Sequence, residues 1–324
     1  MTTTRVPSDL EKFLVYARLF EVAYWADAWD GLGVHLTDDA VHVVHAAKPL
    51  GLDDRGRDAV MQGLKESVLG MDRRFDVRIP EVLDGPRARE DGVWMRFALT
   101  LRHPGLPDLR IEGDHLVQFR AGRIARIEET LEPGVGERVA AFLAEHDAKL
   151  RPVGSPAAPP TDPRDVRDLE DTMLRTLVRS YGNAKSQQDI GAALATCSDD
   201  FVLETVAMEI EARGRAEVEA QLETFFTAFP DYGVTLEGLA TGDGAVTCWG
   251  RARMTWRGEF FGHAPSGRTA ELPFFCVFPS SGGVLRGERF FFDLASLCHQ
   301  IGLPLAVVRG LLDQIRGVET RGAA

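Results

Sequence analysis

The chain has 324 residues and a formal net charge of −12, with 37 Lys and Arg against 49 Asp and Glu. At roughly 150 residues per domain, that length accommodates about two domains, each able to bury its own core. The acidic balance argues against nucleic acid as a partner, since phosphate contacts need a basic surface that outweighs the repulsion.

From the N-terminus, Met1 to Arg5 runs into Asp9, Glu11 and Lys12 with no apolar core of signal length. No later stretch approaches a membrane span, so a cytoplasmic chain without a membrane partner is expected. Residues 8–30 carry Leu10, Phe13, Leu14, Ala17, Phe20, Val22 and Trp25 at broadly helical spacing behind a Ser8/Glu11 capping box, which predicts a helix. After Asp38-Asp39 the pattern turns β-like over Ala40–His45, and helical spacing returns at 57–69, behind Arg55-Gly56-Arg57. Strands are then predicted at Phe75–Val82, Gly92–Arg102, Arg110–Arg120 and Arg123–Leu131.

Residues 151–164 are rich in Pro, Gly and small side chains, which remove ladder donors and apolar surface together. They read as a stiff, solvated linker between a domain at 1–150 and another at 165–324. Beyond it the order repeats: a helix over Asp165–Tyr181, a shorter one over 186–196, a β-like run at Phe201–Val206 and a helix at 215–229. Four strands follow at Tyr232–Ala240, Ala245–Thr255, Thr269–Phe278 and Val284–Phe292, parted by turns such as Gly242-Asp243-Gly244 and Ser281-Gly282-Gly283. The copies are legible in residues as well as pattern. Asp38-Asp39 and Arg55-Gly56-Arg57 recur as Asp199-Asp200 and Arg213-Gly214-Arg215, a displacement of about 158–161 positions, which is the size of a domain rather than of a solenoid repeat.

Helices followed by a strongly bent antiparallel sheet make an α+β class: two tandem cone-shaped domains, each with N-terminal helices packed in a curved antiparallel sheet. Cys197, Cys248, Cys276 and Cys298 fall among apolar neighbours without a CxxC pair, and read as buried reduced thiols rather than disulfides or a metal site.

In the second half, Phe229-Pro230-Asp231, the loop Gly258-Glu259-Phe260-Phe261-Gly262 running to Pro265-Ser266-Gly267-Arg268, and a last strand ending in Asp293 come in the order and spacing of the SnoaL-like polyketide cyclases. The segment 165–305 therefore resembles that family, within the nuclear-transport-factor-like superfamily that includes ketosteroid isomerase. The first half resembles the superfamily in general layout.

The resemblance implies cofactor-free acid/base chemistry on an apolar, polyketide-like small-molecule substrate, most simply an intramolecular aldol cyclisation. Isomerisation, dehydration and epoxide opening need the same placed carboxylates, and a non-catalytic ligand-binding or scaffold protein is the alternative of a different class. By position in the family, Asp293 is the expected proton-transfer group, its pKa raised by desolvation where the last strand meets the interior; it could equally cap the helix from Leu294. Glu204 on the first strand is the candidate second carboxylate if it points inward. Trp249, Trp256, Phe274 and Phe291 are candidates to line a pocket for a flat ligand, and His263 to reach it from the Gly-rich loop.

For the first half a pocket is expected from Asp30, His42 and His115, with Trp29 standing where a scytalone dehydratase-like helix has a tyrosine. His42 and His45 are three apart in a strand, so they face opposite sides and make no simple metal pair. Glu132, which aligns with Asp293, precedes Pro133 and reads as a helix-start residue. No metal or cofactor is expected, and the two halves could pair as an intramolecular pseudo-dimer or the chain as a homodimer.

Overall fold

The computed structural model describes residues 5–242 and 244–315; Asp243, at the centre of one expected turn, and Met1 to Thr4 lie outside the described residues. Contacts divide the chain into two compact units, 1–179 and 180–324.

The first unit opens with α1 (Asp9–Ala26), whose first turn is capped by Ser8 Oγ accepting from the Glu11 backbone N–H at 3.0 Å. Asp27, in the left-handed conformation, ends it. A single turn, α2 (Asp30–Gly33), leads to β1 (Leu36–His45), β2 (Leu52–Arg55), α3 (Arg57–Gly70), β3 (Val77–Arg89), β4 (Gly92–Arg102), β5 (Leu109–Arg120), β6 (Arg123–Leu131) and α4 (Val135–His146). The sheet order is β2-β1-β6-β5-β4-β3. Val135 and Val139 of α4 close one end of its core against Phe75, Leu101, Ile111 and Leu131.

The second series is α5 (Pro163–Ser186), α6 (Ile190–Ala195), β7 (Cys197–Thr205), β8 (Ile210–Arg213), α7 (Gly214–Ala228), β9 (Gly233–Gly242), β10 (Ala245–Thr255), β11 (Thr269–Ser281), β12 (Val284–Phe292), α8 (Leu294–Ile301) and α9 (Leu305–Ile315). Its sheet order, β8-β7-β12-β11-β10-β9, repeats the first strand for strand. The start of α5 belongs with the first unit, where Asp165 and Asp168 accept from Arg102 Nη1 at 2.8 and 2.7 Å.

Each domain is thus the α+β cone the sequence implies, with one refinement. The sheets are antiparallel except where β1 meets β6 and β7 meets β12, which run parallel. The short strands β2 and β8, absent from the sequence reading, form hairpins with β1 and β7. Register shifts at Trp249/Gly250 and Val277/Ser280 bend the second sheet, and those at Val82/Asp84 and Asp84/Arg87 bend the first. The Arg-Gly-Arg motif opens α3 and α7 because Gly56 and Gly214 take φ of +90° and +76°, a conformation that other residues adopt only with strain.

Strand alternation sorts the second sheet cleanly. On β11, Ala270, Leu272, Phe274, Cys276 and Phe278 point inward and their neighbours outward; on β10, Val246, Cys248, Ala252 and Met254 do the same. The inward Phe278 meets the ring of Tyr181 of α5 at 5.7 Å, and Val218, Leu222 and Phe226 of α7 are buried as well. The four cysteines are free and buried. Among the described residues, no single helix is long and apolar enough to cross a membrane.

Candidate functional site

The interior of the second domain holds a charged cluster built on a residue the sequence reading passed over. Glu288 lies on β12, 2 % exposed, and accepts from Tyr181 Oη at 2.6 Å and from Lys185 Nζ at 2.8 and 3.1 Å. Tyr181 and Lys185 are four apart on α5, hence on one helix face, and both are buried. Cys276 Sγ stands 3.7 Å from the same carboxylate. Aromatic rings surround the group: Phe201 and Phe278 lie 5.8 and 5.7 Å from the Tyr181 ring, and the Lys185 ammonium sits 5.1 Å over Tyr181 and 5.8 Å over Phe290. Burial first, then the Glu288 charge, pushes the Tyr181 hydroxyl well above its ordinary pKa, so it stays a proton donor. Burial, the neighbouring Cys248 and the Glu288 charge do the same to the Cys276 thiol.

This is a carboxylate held by an ammonium and a phenol in an apolar shell. It can accept a proton, while Lys185 and Tyr181 can donate hydrogen bonds to a developing oxyanion.

The two carboxylates singled out from sequence stand elsewhere. The desolvated setting expected for Asp293 is corrected: β12 ends at Phe292, and Asp293 turns into solvent as the N-cap of α8. Its oxygens accept from the Ala295 N–H at 2.9 Å and Ser296 Oγ at 2.6 Å, and these bonds, Ser296 first, hold its carboxyl below the ordinary range. The inward position expected for Glu204 is corrected too. Phe201 and Leu203 take the inner face of β7, so Glu204 takes the outer one, where Arg289 Nε donates to it at 2.6 Å. Asp293 and Glu204 are not brought together with Glu288.

Of the candidate pocket residues, Trp256 and Phe274 are inside. Trp256 is buried with Nε1 donating to the Gly258 carbonyl at 2.7 Å, and the Phe274 ring lies 5.7 Å from that of Phe290. Trp249 and Phe291 are not in that interior. They share with Phe275 a row across the outer face, Trp249 opposite Phe275 and Phe275 opposite Phe291, with Trp249 and Phe275 each 41 % exposed. His263 sits half-buried in a tight turn whose backbone pairs with Phe260 at 3.0 and 3.1 Å.

In the first domain, His42 and His115 both point inward and meet at Glu129, whose Oε1 is 3.5 Å from His42 Nε2 and 3.5 Å from His115 Nδ1. His45 takes the outer face and pairs with Glu128 at 2.7 Å. Asp30 is exposed at the start of α2 rather than inside the domain with His42, while the buried Trp29 donates from Nε1 to Asp27 at 2.8 Å. Glu132 pairs with Arg96 and lines a polar cleft of about 350 Å³ with Asp108, Arg110, Glu112, Arg138 and Phe142. Among the described residues, no group of three or more His, Cys, Asp or Glu could hold a metal ion.

Comparison with known proteins bears on the second domain. Residues 175–301 match the family described as SnoaL-like polyketide cyclase. Among solved structures, the chain is similar to a candidate SnoaL-like polyketide cyclase from Jannaschia sp. CCS1, with 20% identity over 41% of this chain and 94% of that one and a TM-score of 0.39. IdmH, a candidate polyketide cyclase from Streptomyces antibioticus, gives 18% identity over 40% and 99%, TM-score 0.36. AclR, a candidate hydroxylase from Streptomyces galilaeus, gives 20% over 40% and 97%, TM-score 0.36. No curated protein matches the chain.

Proposed function

We propose that the chain is a cofactor-free acid/base enzyme that closes a ring in an apolar, polyketide-like substrate by intramolecular aldol addition, a reading supported by the match of residues 175–301 to the SnoaL-like polyketide cyclase family. The observation that carries the reading is the Glu288–Lys185–Tyr181 cluster inside the second domain.

An aldol closure moves one proton off the carbon beside a carbonyl, forms a carbon–carbon bond to a second carbonyl, and returns a proton to the resulting alkoxide. Nothing is oxidised or reduced. Glu288 is placed to take the first proton, and the Lys185 ammonium and Tyr181 hydroxyl to stabilise the enolate oxygen. Phe290, under the Lys185 ammonium, and Phe274, 5.7 Å from it, supply apolar walls, and the partly buried Phe292 is the ring an entering substrate displaces. Epoxide opening calls for two converging carboxylates, and the outward Glu204 with the exposed Asp293 favours the aldol reaction over it.

The test is incubation of purified protein with a panel of linear and part-cyclised polyketides, following each by mass spectrometry. A cyclised isomer of unchanged mass, formed with turnover and lost in Glu288→Gln, is the expected result. A second reading, a non-catalytic carrier, is favoured by one specific feature: both Glu288 oxygens are already engaged. Stoichiometric binding without turnover selects it.

A further inference from the structure

Strand β6 ends before its neighbour does. Its last pair with β5 is Leu131 opposite Gly113, and after the Glu132 N–H donates to the Glu112 carbonyl at 2.9 Å the chain turns through Gly134 into α4. The first residues of β5, Leu109 to Ile111, therefore have β4 on one side and no strand on the other. The space left is the cleft of about 350 Å³, with Arg110 and Glu112 on its sheet side and Arg138 and Phe142, four apart and so on one face of α4, on its helix side. Leu109 and Ile111 point into the core and Arg110 and Glu112 alternate with them, so the cleft opens outside the domain interior. Its charges are not equivalent. Asp108 accepts from Arg102 Nε at 3.0 Å, Glu112 from Arg110 Nε at 2.6 Å, and Glu132 Oε1 from Arg96 Nη2. Arg110 is held further by Thr100 Oγ1 at 3.2 Å and Glu81 at 3.3 Å. The Arg138 side chain is exposed and has no ion-pair or hydrogen-bond partner among the described residues. Its guanidinium lies back over the turn: a Cβ at Gly134 would stand 3.7 Å from Arg138 Nη1, which sets this free cation close to Glu132, two residues before that glycine.

We propose that this cleft binds a free α-amino acid with an apolar side chain. The ligand carboxylate goes to Arg138, whose planar fork takes it with two parallel hydrogen bonds. The ammonium goes to Glu132 Oε2, which Arg96 leaves open, and the side chain lies against the half-buried Phe142 ring. Either charge alone is the poorer match. An anion without an ammonium meets the Asp108, Glu112 and Glu132 carboxylates, and a cation without a carboxylate leaves Arg138 unanswered. An amino acid carries both signs on one carbon, as Glu132 and Arg138 present both signs about one glycine. The site uses residues outside 175–301 and stands independently of the reading of the second domain.

The experiment titrates the full chain with L-phenylalanine, L-phenylalaninamide and N-acetyl-L-phenylalanine, following affinity by calorimetry. The amino acid binds on the order of tenfold more tightly than either derivative, since each derivative lacks one charged group. Arg138→Gln removes the advantage over the amide and Glu132→Gln the advantage over the N-acetyl compound, each in protein with native circular dichroism. Arg138 is exposed and without a partner, so its replacement leaves the fold intact and decides the matter where Glu132→Gln does not fold. No binding of L-phenylalanine at millimolar concentration, equal affinity for the three probes, or an undiminished preference in either folded variant overturns the proposal.

Discussion

Lys185 Nζ lies 2.8 Å from Glu288 Oε2, at a point where Lys185 is 7 % and Glu288 2 % exposed. Two full charges have been taken out of water, and their mutual attraction with the Tyr181 hydrogen bond offsets the desolvation. Breaking such a pair is costlier than never having built it. Lys185→Met should therefore lower stability by about 3–5 kcal/mol, and adding Glu288→Leu should recover most of the loss. Urea denaturation of the singles and the double measures this; additive losses would show that the two charges are not coupled.

Asp293 separates capping from catalysis. Asp293→Ala should lower the melting temperature, because the α8 N-terminus loses the acceptor for the Ala295 N–H, whereas Asp293→Asn should largely retain it. Thermal unfolding followed by circular dichroism compares them, and equal losses would contradict the capping role.

The thiols should be silent in the native state. All four are buried away from reagents, and burial pushes Cys197 up to about 12, so that thiol carries little thiolate at pH 8. A chromogenic disulfide reagent should react slowly with native protein and promptly with four thiols in urea. Fast native labelling would contradict this packing.

The acid limb of stability should carry a Glu129 signature. Burial alone would raise its carboxyl, but His115 and His42 more than offset that and hold it well below its ordinary 4.5. A depressed folded pKa gives stabilisation that is complete above the unfolded value and lost as pH falls below about 4.5. Glu129→Gln should flatten the decline in denaturation midpoint between pH 5 and pH 3, on the order of the span over which the carboxyl titrates. A decline as steep as in the parent chain would contradict the assignment.

Much of the fold is legible in the sequence because it rests on local chemistry: the Ser8/Glu11 cap, the Arg-Gly-Arg helix starts and the strict alternation of Ala270 to Phe278 each announce their element. The interior acid is not legible in that way. Leu285 and Glu288 are three apart, so simple alternation sends them to opposite faces, yet both are buried. A register shift between Leu285 and Gly287 reverses the parity and turns Glu288 inward. In the first domain Ile124 and Ile127 are likewise three apart and both buried, with a shift in the neighbouring pairing between Gln118 and Phe119. From there alternation carries Glu129 inward with Ile127. A pairing defect fixed by tertiary contacts leaves no local sequence mark. The Tyr181/Lys185 spacing on α5 was the one available signal, two polar side chains aligned on a helix face that the core must cover.

The central claim is that proton transfer in the second domain belongs to Glu288. Its most direct test is the turnover per folded molecule of Glu288→Gln beside Asp293→Asn on one cyclising substrate. Glu288→Gln should lose about 10²–10⁴-fold, the usual worth of a general acid/base, while Asp293→Asn stays near the parent rate. The reverse pattern, with Asp293→Asn inactive and Glu288→Gln turning over normally, would contradict the account.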